Sequence, residues 1–221
     1  VYKRQMKNNN KIFLGEFIAS CFLVMVIVGS GIMAENLTND NAVRLLANTI
    51  ATGAGLFVLI TAFANISGAH LNPFVSLSMY LTKRIKGKEL LTFIPAQILG
   101  CLLGVMLANV FFEHSIIELS TKNRDGFHIF LSEIVATFGL IFIIFATLKD
   151  GKTTVAACVA TYISAGYWFT SSTSFANPAV AIARTFTDSF TGINYLNTPT
   201  YIFAELLGAI VAIYIIKRLI K

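Results

Sequence analysis

The chain has 221 residues, of which 56% are hydrophobic and only 13% are charged. A soluble domain could not keep so many apolar side chains away from water, so the composition predicts an integral membrane protein. The formal net charge is +6, but the basic residues stand in short clusters beside apolar segments and form no basic face. Nucleic acid is therefore not an expected partner, and the lipid bilayer is.

Six apolar segments have about the 20 residues that cross a bilayer core of ~30 Å. Two further apolar segments are too short to cross, and each contains an Asn-Pro pair. The sequence therefore predicts an all-α membrane protein, with one channel domain over 1–221. In chain order the six predicted transmembrane helices are 12–34, 43–64, 89–112, 128–148, 154–169 and 200–220, and the two short segments are 68–80 and 175–187.

The positions of the basic residues predict the orientation of the chain in the membrane. Most of the 17 Lys and Arg precede the first and third predicted helices, separate the fourth from the fifth, or follow the sixth. These places share one side, which the positive charge marks as cytoplasmic. Both termini are therefore predicted to be cytoplasmic, in a plasma membrane or bacterial inner membrane. The basic residues of the opposite side are Arg44, Lys122, Arg124 and Arg184.

The chain contains an internal repeat, with one half at about 11–112 and the other at about 128–220. The residues around Glu16 match those around Glu133, a second pair of segments aligns, and the two Asn-Pro pairs recur in the same order. Each half has three predicted transmembrane helices, an odd number, so the second half enters from the opposite side of the membrane. The sequence therefore predicts an inverted repeat.

Each Asn-Pro pair predicts the start of a short helix, because Asn is a favoured N-cap and Pro a favoured first helical residue. The pair at Asn72 follows the first re-entrant segment, 65–71, and the pair at Asn177 follows the second re-entrant segment, 171–176. We expect both segments to be extended. Non-helical backbone at this depth needs protein or water around it, so a cavity is expected. Two helix starts facing that cavity repel cations and protons, while Asn amides and backbone carbonyls bond a neutral solute.

The stretch SGAHLNP at 67–73, the stretch NPA at 177–179 and the paired glutamates Glu16 and Glu133 resemble the major intrinsic protein family, the aquaporins and aquaglyceroporins. The resemblance covers essentially the whole chain. It implies a bundle of six tilted helices and two re-entrant half-helices, with one pore in each subunit of a homotetramer. It also implies that the Asn of each motif lines the pore and that the two glutamates hold the re-entrant backbone.

We interpret the ionisable residues inside the membrane as structural, although such residues are usually functional. Glu16 and Glu133 occur once in each half and match each other, as expected of scaffolding rather than of a proton relay. Glu205 corresponds to Gln97 in the first half, so that position does not require a charge. His70 is expected to satisfy a hydrogen bond of the first re-entrant segment.

Two positions depart from the family pattern. The first motif continues with Phe74 instead of the usual Ala, and this ring either packs against the second half-helix or crowds the middle of the pore. The family usually has an Arg directly after the second motif, where this chain has Val180. Arg184 follows four residues later and supplies either a displaced filter, a charged vestibule, or a surface ion pair with Asp188.

The pore constriction is predicted from four positions, three of which carry small or uncharged aliphatic side chains. These side chains predict a filter wider and less polar than that of a water-only channel. A Tyr at the fourth position would narrow it. The four positions are Ala54, Tyr167, Ser174 and Val180, with Thr52 and Ala165 as alternatives if the second and fifth predicted helices align with the family without a gap.

These features predict a passive channel for water and small uncharged solutes, namely glycerol-like polyols, urea and neutral metalloid hydroxides. The stretch SSTSFANPA at 171–179 resembles bacterial members associated with metalloid handling. The alternatives are a narrow water or ammonia channel and a non-conducting structural or adhesion member of the family. The sequence contains no catalytic serine elbow, zinc motif or nucleotide loop, so we expect no enzymatic activity, no cofactor and no bound metal.

Overall fold

The computed structural model describes residues 2–219, which are all-helical apart from loops and contain no β-strand. The predicted all-α fold is confirmed, and the two short helices begin directly after Asn72 and Asn177. Two 3₁₀ turns, Leu148–Asp150 and Arg184–Phe186, extend α5 and α7. The helices are α1 (Tyr2–Leu37), α2 (Asn41–Phe63), α3 (Pro73–Leu81), α4 (Gly87–Phe111), α5 (Phe127–Thr147), α6 (Lys152–Phe169), α7 (Pro178–Ala183) and α8 (Thr198–Leu219).

The long helices correspond to the six predicted transmembrane helices. Within residues 2–219, five of them are apolar and long enough to cross a membrane, in α1, α2, α4, α5 and α8. The remaining one, α6, has 18 residues and packs between α2 and α5. Many large apolar side chains on the outside of the bundle are exposed, as expected for a surface that contacts lipid.

The two halves pack in the same way. In the first half α1 packs on α4, and in the second half α5 packs on α8. A Cβ atom added to Gly100 would lie 2.3 Å from the carbonyl oxygen of Phe17, and one added to Gly208 would lie 2.4 Å from that of Ile134. The backbones of each helix pair therefore touch at equivalent positions, which small residues permit in membrane helices.

We expect Gly100→Ala to destabilise the protein, because the added methyl group meets backbone that cannot move without displacing α1 from α4. Overpacking of this kind costs about 1–3 kcal/mol. Thermal unfolding in detergent measures the effect. The matched control is Gly29→Ala in α1, whose Cβ would lie 3.5 Å from a ring carbon of Phe112, an ordinary contact. Equal melting temperatures for the two variants would contradict the close packing at Gly100.

The short helices α3 and α7 position the functional residues. They contact each other, and both pack against α4 and α8. Each is capped by its Asn, because the side-chain oxygen of Asn72 accepts from the backbone N–H of Phe74 at 2.8 Å and that of Asn177 accepts from Ala179 at 3.1 Å. The capped starts of α3 and α7 therefore bring both Asn-Pro pairs together inside the bundle.

Candidate pore

Asn72 and Asn177 connect the two re-entrant segments by hydrogen bonds. The Nδ2 atom of Asn72 donates to the carbonyl oxygen of Ala176 at 2.6 Å, and that of Asn177 donates to the carbonyl oxygen of Leu71 at 2.8 Å. Both side chains also line a central cavity. An amide nitrogen carries two hydrogens, so each Asn keeps one N–H for a molecule in the cavity.

The re-entrant segments are not simply extended, as the sequence analysis expected. Ala69 and Leu71 have φ angles of 51° and 53°, and Ser174 and Ala176 have φ angles of 50° and 47°. Residues other than glycine rarely adopt such angles, and each costs about 1–3 kcal/mol. The extended interpretation was wrong because a plain strand cannot turn its N–H groups to one side.

Glu16 and Glu133 stabilise this backbone. Glu16 Oε1 accepts from the backbone N–H of His70 at 3.1 Å, and its Oε2 accepts from that of Leu71 at 2.7 Å. Glu133 accepts from the backbone N–H groups of Phe175 and Ala176 at 2.9 and 2.8 Å. Each planar peptide unit directs its carbonyl away from its N–H, so the carbonyl oxygens of these units point away from the two glutamates.

The cavity has a volume of about 380 Å³ and is lined by both Asn side chains. Arg84 and Lys152 line one end, here named the Lys152 mouth, and Arg184 lines the other, here named the Arg184 mouth. Between the mouths most lining residues are aliphatic. Among the described residues, every charged side chain that lines the cavity is basic. These charges make the electrostatic potential along the cavity positive, which disfavours the entry of cations.

The Arg184 mouth contains most of the predicted constriction. Tyr167, Ser174 and Val180 line the cavity there. The prediction of Ala54 was wrong, because Thr52 lines the cavity and Ala54 is exposed on the outer surface. Two positions along a helix correspond to a rotation of about 200°, so only one of the two can face inward.

On α6, in contrast to α2, the first predicted residue faces the cavity and the alternative does not. Tyr167 faces the cavity, whereas the alternative Ala165 is exposed on the outer surface. The hydroxyl of Tyr167 donates to Thr52 Oγ1 at 3.2 Å, which joins α6 to α2 beside the cavity. This bond turns the Tyr hydroxyl toward α2, and Thr52 and Tyr167 form one polar wall of the mouth.

Arg184 is buried, with only 3% of its surface exposed. Its guanidinium carbon lies 3.5 Å from the centre of the Phe175 ring, and its Nε donates to the carbonyl oxygen of Thr191. The interpretation as a surface ion pair was wrong, because Asp188 instead accepts from the backbone N–H of Thr121 at 2.9 Å. Arg184 is therefore part of the mouth, stacked on an aromatic ring.

Basic side chains also surround the Arg184 mouth. Burial, together with the nearby positive charges of Arg124 and Arg184, lowers the pKa of Lys122 to about 8. The Lys122 Nζ donates to the carbonyl oxygen of Phe190 at 2.6 Å. A group whose charge is opposed by its neighbours in this way indicates a positive local potential.

Phe74 lies away from the cavity, whereas His70 lines it. Phe74 is buried in the apolar core and is not one of the residues that line the cavity, so its ring does not narrow the path. His70 does line the cavity, but its Nδ1 lies 3.0 Å from Ser76 Oγ and its ring stacks on Phe93 at 4.2 Å. His70 therefore has a hydrogen-bond partner, which is the Ser76 hydroxyl.

Phe175 and Lys152 are lining residues that the sequence analysis did not assign to the pore. Phe175 supports the Arg184 guanidinium, and Lys152 donates to the carbonyl oxygen of Ala64 at 3.1 Å at the other mouth. In the sequence Phe175 was part of a re-entrant segment and Lys152 only a topology signal. Within residues 2–219, no group of three or more His, Cys, Asp or Glu side chains is arranged to hold a metal ion.

This fold and cavity define a membrane protein with two re-entrant half-helices that meet beside a central path. The family model "Major intrinsic protein" matches residues 3–168. The chain is 45% identical over 208 residues to "Aquaglyceroporin AqpS" of Rhizobium meliloti (strain 1021), which covers 94% of this chain and 89% of that protein. The chain therefore belongs to the major intrinsic protein family and is a multi-pass integral membrane protein.

More distant proteins share the architecture. Aquaporin-4 of Rattus norvegicus is 28% identical over 211 residues, covering 91% of this chain and 65% of that protein. The X-ray structure of the aquaglyceroporin from Plasmodium falciparum superposes with a TM-score of 0.77 at 21% identity, over 96% of this chain and 97% of that one. An FNT family ion channel superposes at 0.59 with 15% identity, over 95% and 88% of the two chains. The fold alone therefore does not identify the solute.

Proposed function

We propose that the protein is a passive channel for water and small uncharged solutes, namely glycerol-like polyols, urea and neutral metalloid hydroxides. The observation that carries this proposal is the cavity between the Lys152 and Arg184 mouths, which passes the amide groups of Asn72 and Asn177. A solute that enters loses water, accepts hydrogen bonds from these amides and donates hydrogen bonds to carbonyl oxygens of the re-entrant segments. The chain's similarity to an aquaglyceroporin supports the same class of solute.

The cavity favours neutral solutes for an electrostatic reason. Arg84, Lys152 and Arg184 are the charged side chains among its described lining residues. The starts of α3 and α7 add further positive potential in the middle. A cation would have to pass all of these groups, whereas a neutral hydroxyl compound meets only donors and acceptors.

The filter is proposed to be wide because Val180 stands where the family usually has an Arg. Val180 is 3% exposed and lines the cavity together with Thr52 and Ser174, so the wall at this place is aliphatic and weakly polar. Arg184 leaves this position open because its guanidinium stacks on Phe175. Such a wall admits a polyol whose carbon atoms need an apolar surface.

A narrow water or ammonia channel is the second candidate. It is favoured by the Tyr167 hydroxyl bonded to Thr52 and by the buried guanidinium of Arg184, which together occupy one side of the mouth. In that case water would pass and glycerol would not. A non-conducting structural role receives less support, since Phe74 lies outside the path.

We further propose that the chain forms one channel domain from two half-repeats and assembles as a homotetramer with one pore in each subunit. Its proposed location is the plasma membrane or bacterial inner membrane, with the Lys152 mouth and both termini in the cytoplasm. The excess of Lys and Arg on that side supports this orientation. We assign the protein no catalytic step, cofactor or metal.

Stopped-flow light scattering of liposomes containing the purified protein tests the function. We expect fast shrinkage under an impermeant osmolyte and fast re-swelling under glycerol, urea and arsenious acid gradients, relative to protein-free liposomes. Proton flux, followed with an internal pH dye, should stay at the protein-free level. Water flux without glycerol flux would select the narrow channel, and the absence of any flux would contradict both channel proposals.

A further inference from the structure

The two halves differ at one buried position behind the re-entrant segments. In the first half, Gln97 Nε2 donates to Glu16 Oε2 at 2.7 Å and also lies 3.0 Å from Ser76 Oγ. The equivalent residue of the second half is Glu205, which is fully buried. A carboxylate has no N–H to donate, so the bond that Gln97 makes to Glu16 has no direct equivalent there.

Glu205 instead lies against Glu133. Glu133 accepts from the backbone N–H groups of Phe175 and Ala176 and Glu205 accepts from that of Asn177, three consecutive residues, so the two carboxyl groups lie side by side, and neither residue has any exposed surface. Glu205 Oε1 accepts from the backbone N–H of Asn177 at 3.0 Å, whereas its Oε2 receives no hydrogen bond from any other described group. Both oxygens of Glu133 accept from the second re-entrant segment. The contact between the two carboxyls therefore needs a donor that neither carboxylate supplies.

We propose that Glu133 and Glu205 hold one proton between them, and that this proton joins the second re-entrant segment to α5 and α8. Two adjacent carboxylates in a low-dielectric interior repel strongly, so such a pair keeps one proton. With one proton, the pair carries a single negative charge and a carboxyl O–H that donates to the facing carboxylate. In the first half, the amide of Gln97 makes the same connection with its own N–H, so no additional proton has to be bound.

In the part of the chain that the structure describes, no basic side chain forms a salt bridge with either carboxyl group. The basic side chains nearest to Glu133 are Arg124 and Arg184, and the Nε atoms of both donate to backbone carbonyl oxygens, of Gly192 and Thr191, rather than to a glutamate. The other titratable groups around the pair are tyrosines, which are neutral at physiological pH. These groups are Tyr162 of α6 and Tyr201 of α8.

Glu205 then acts as a positioning residue for Asn177. It does not line the cavity, but it accepts the backbone N–H of the residue whose amide does. A proton-linked pair keeps Glu205 close to Glu133, so that Phe175, Ala176 and Asn177 all donate to one fixed acceptor group. Loss of this group would leave three buried N–H donors poorly satisfied.

Infrared difference spectroscopy of protein labelled with ¹³C-glutamate tests for the proton. At neutral pH we expect one protonated carboxyl band in the wild type, identified by its isotope shift and separate from lipid ester bands. Glu205→Gln should remove this band. Gln97→Glu, which places a second carboxyl beside Glu16, should add one. A wild-type spectrum with no protonated glutamate band, or a band that remains in Glu205→Gln, would overturn the proposal.

Water permeability tests the positioning role. Glu205→Gln restores the arrangement of the first half and should keep wild-type permeability, whereas Glu205→Leu removes the acceptor for Asn177 and should lower it several-fold. Equal permeability of Glu205→Leu and wild type would contradict the role. The infrared result does not depend on which solutes pass, so failure of this proposal is distinguishable from failure of the proposed channel function.

Discussion

Glu16→Met is expected to abolish water permeability and to lower the melting temperature of the purified protein further than Gly100→Ala does. Glu16 accepts four hydrogen bonds in a site with no exposed surface. An unsatisfied buried donor costs about 1–3 kcal/mol, so four of them approach the ~5–15 kcal/mol that stabilises a typical domain. The donors are Ser67 Oγ, the backbone N–H groups of His70 and Leu71, and Gln97 Nε2.

The re-entrant backbone explains why function is lost as well. Ala69 and Leu71 are held at positive φ, and Glu16 compensates for that strain. Without it, the segment relaxes and the Leu71 carbonyl no longer accepts from Asn177. Glu113→Met is the matched control, because Glu113 is exposed in a loop. Thermal unfolding and stopped-flow shrinkage measure both variants, and a Glu16→Met protein with wild-type water flux would contradict the role.

Val180→Arg is expected to lower glycerol permeability at least about tenfold, equivalent to roughly 1.4 kcal/mol of added barrier, while water permeability changes much less. Val180 is buried in the wall of the Arg184 mouth. A guanidinium there extends into the path and replaces an aliphatic wall with a donor that a polyol must displace. Arg184 lies one turn away, so the mouth gains a second positive charge.

Val180→Met separates charge from size, because Met is long and unbranched but uncharged. We expect it to lower glycerol permeability by a smaller factor than Val180→Arg. Parallel stopped-flow traces under an impermeant osmolyte and under glycerol give both permeabilities from the same liposomes. If Val180→Arg left glycerol entry unchanged, the filter would have to lie elsewhere along the cavity. If it stopped water and glycerol equally, the mouth would be too narrow for the proposed polyol path.

The two halves stabilise their re-entrant segments with different residues at one equivalent position. The first re-entrant segment depends on Glu16 bonded to the Gln97 amide, and the second depends on the Glu133 and Glu205 carboxyl groups. Matching the repeats makes Gln97 and Glu205 equivalent and predicts that charge is not required at this position. Under the proposal, the shared proton of Glu205 makes the connection that the Gln97 amide makes in the other half.

Most helices of the fold could be predicted from the sequence, because each helix depends mainly on residues that are adjacent in the chain. The length of each apolar segment decides whether it spans the bilayer, and an Asn-Pro pair starts a helix wherever it lies. The repeat of Glu16 and Glu133 likewise pointed to equivalent structural roles before any contact was known. The paired helices and the capped starts of α3 and α7 agree with these predictions.

The constriction depended on features that a single sequence does not contain. Whether Thr52 or Ala54 faces the cavity depends on the rotation of α2 about its axis, which its neighbours set by packing. The burial of Arg184 depends on the Phe175 ring and on the carbonyl oxygen of Thr191, which the loops before and after α7 bring beside it. Local propensity and hydrophobic length therefore determined the elements. Only tertiary packing decided which side chains meet in the pore, because the rotation of each helix is set by its neighbours and Thr52 and Tyr167 lie 115 residues apart in the chain.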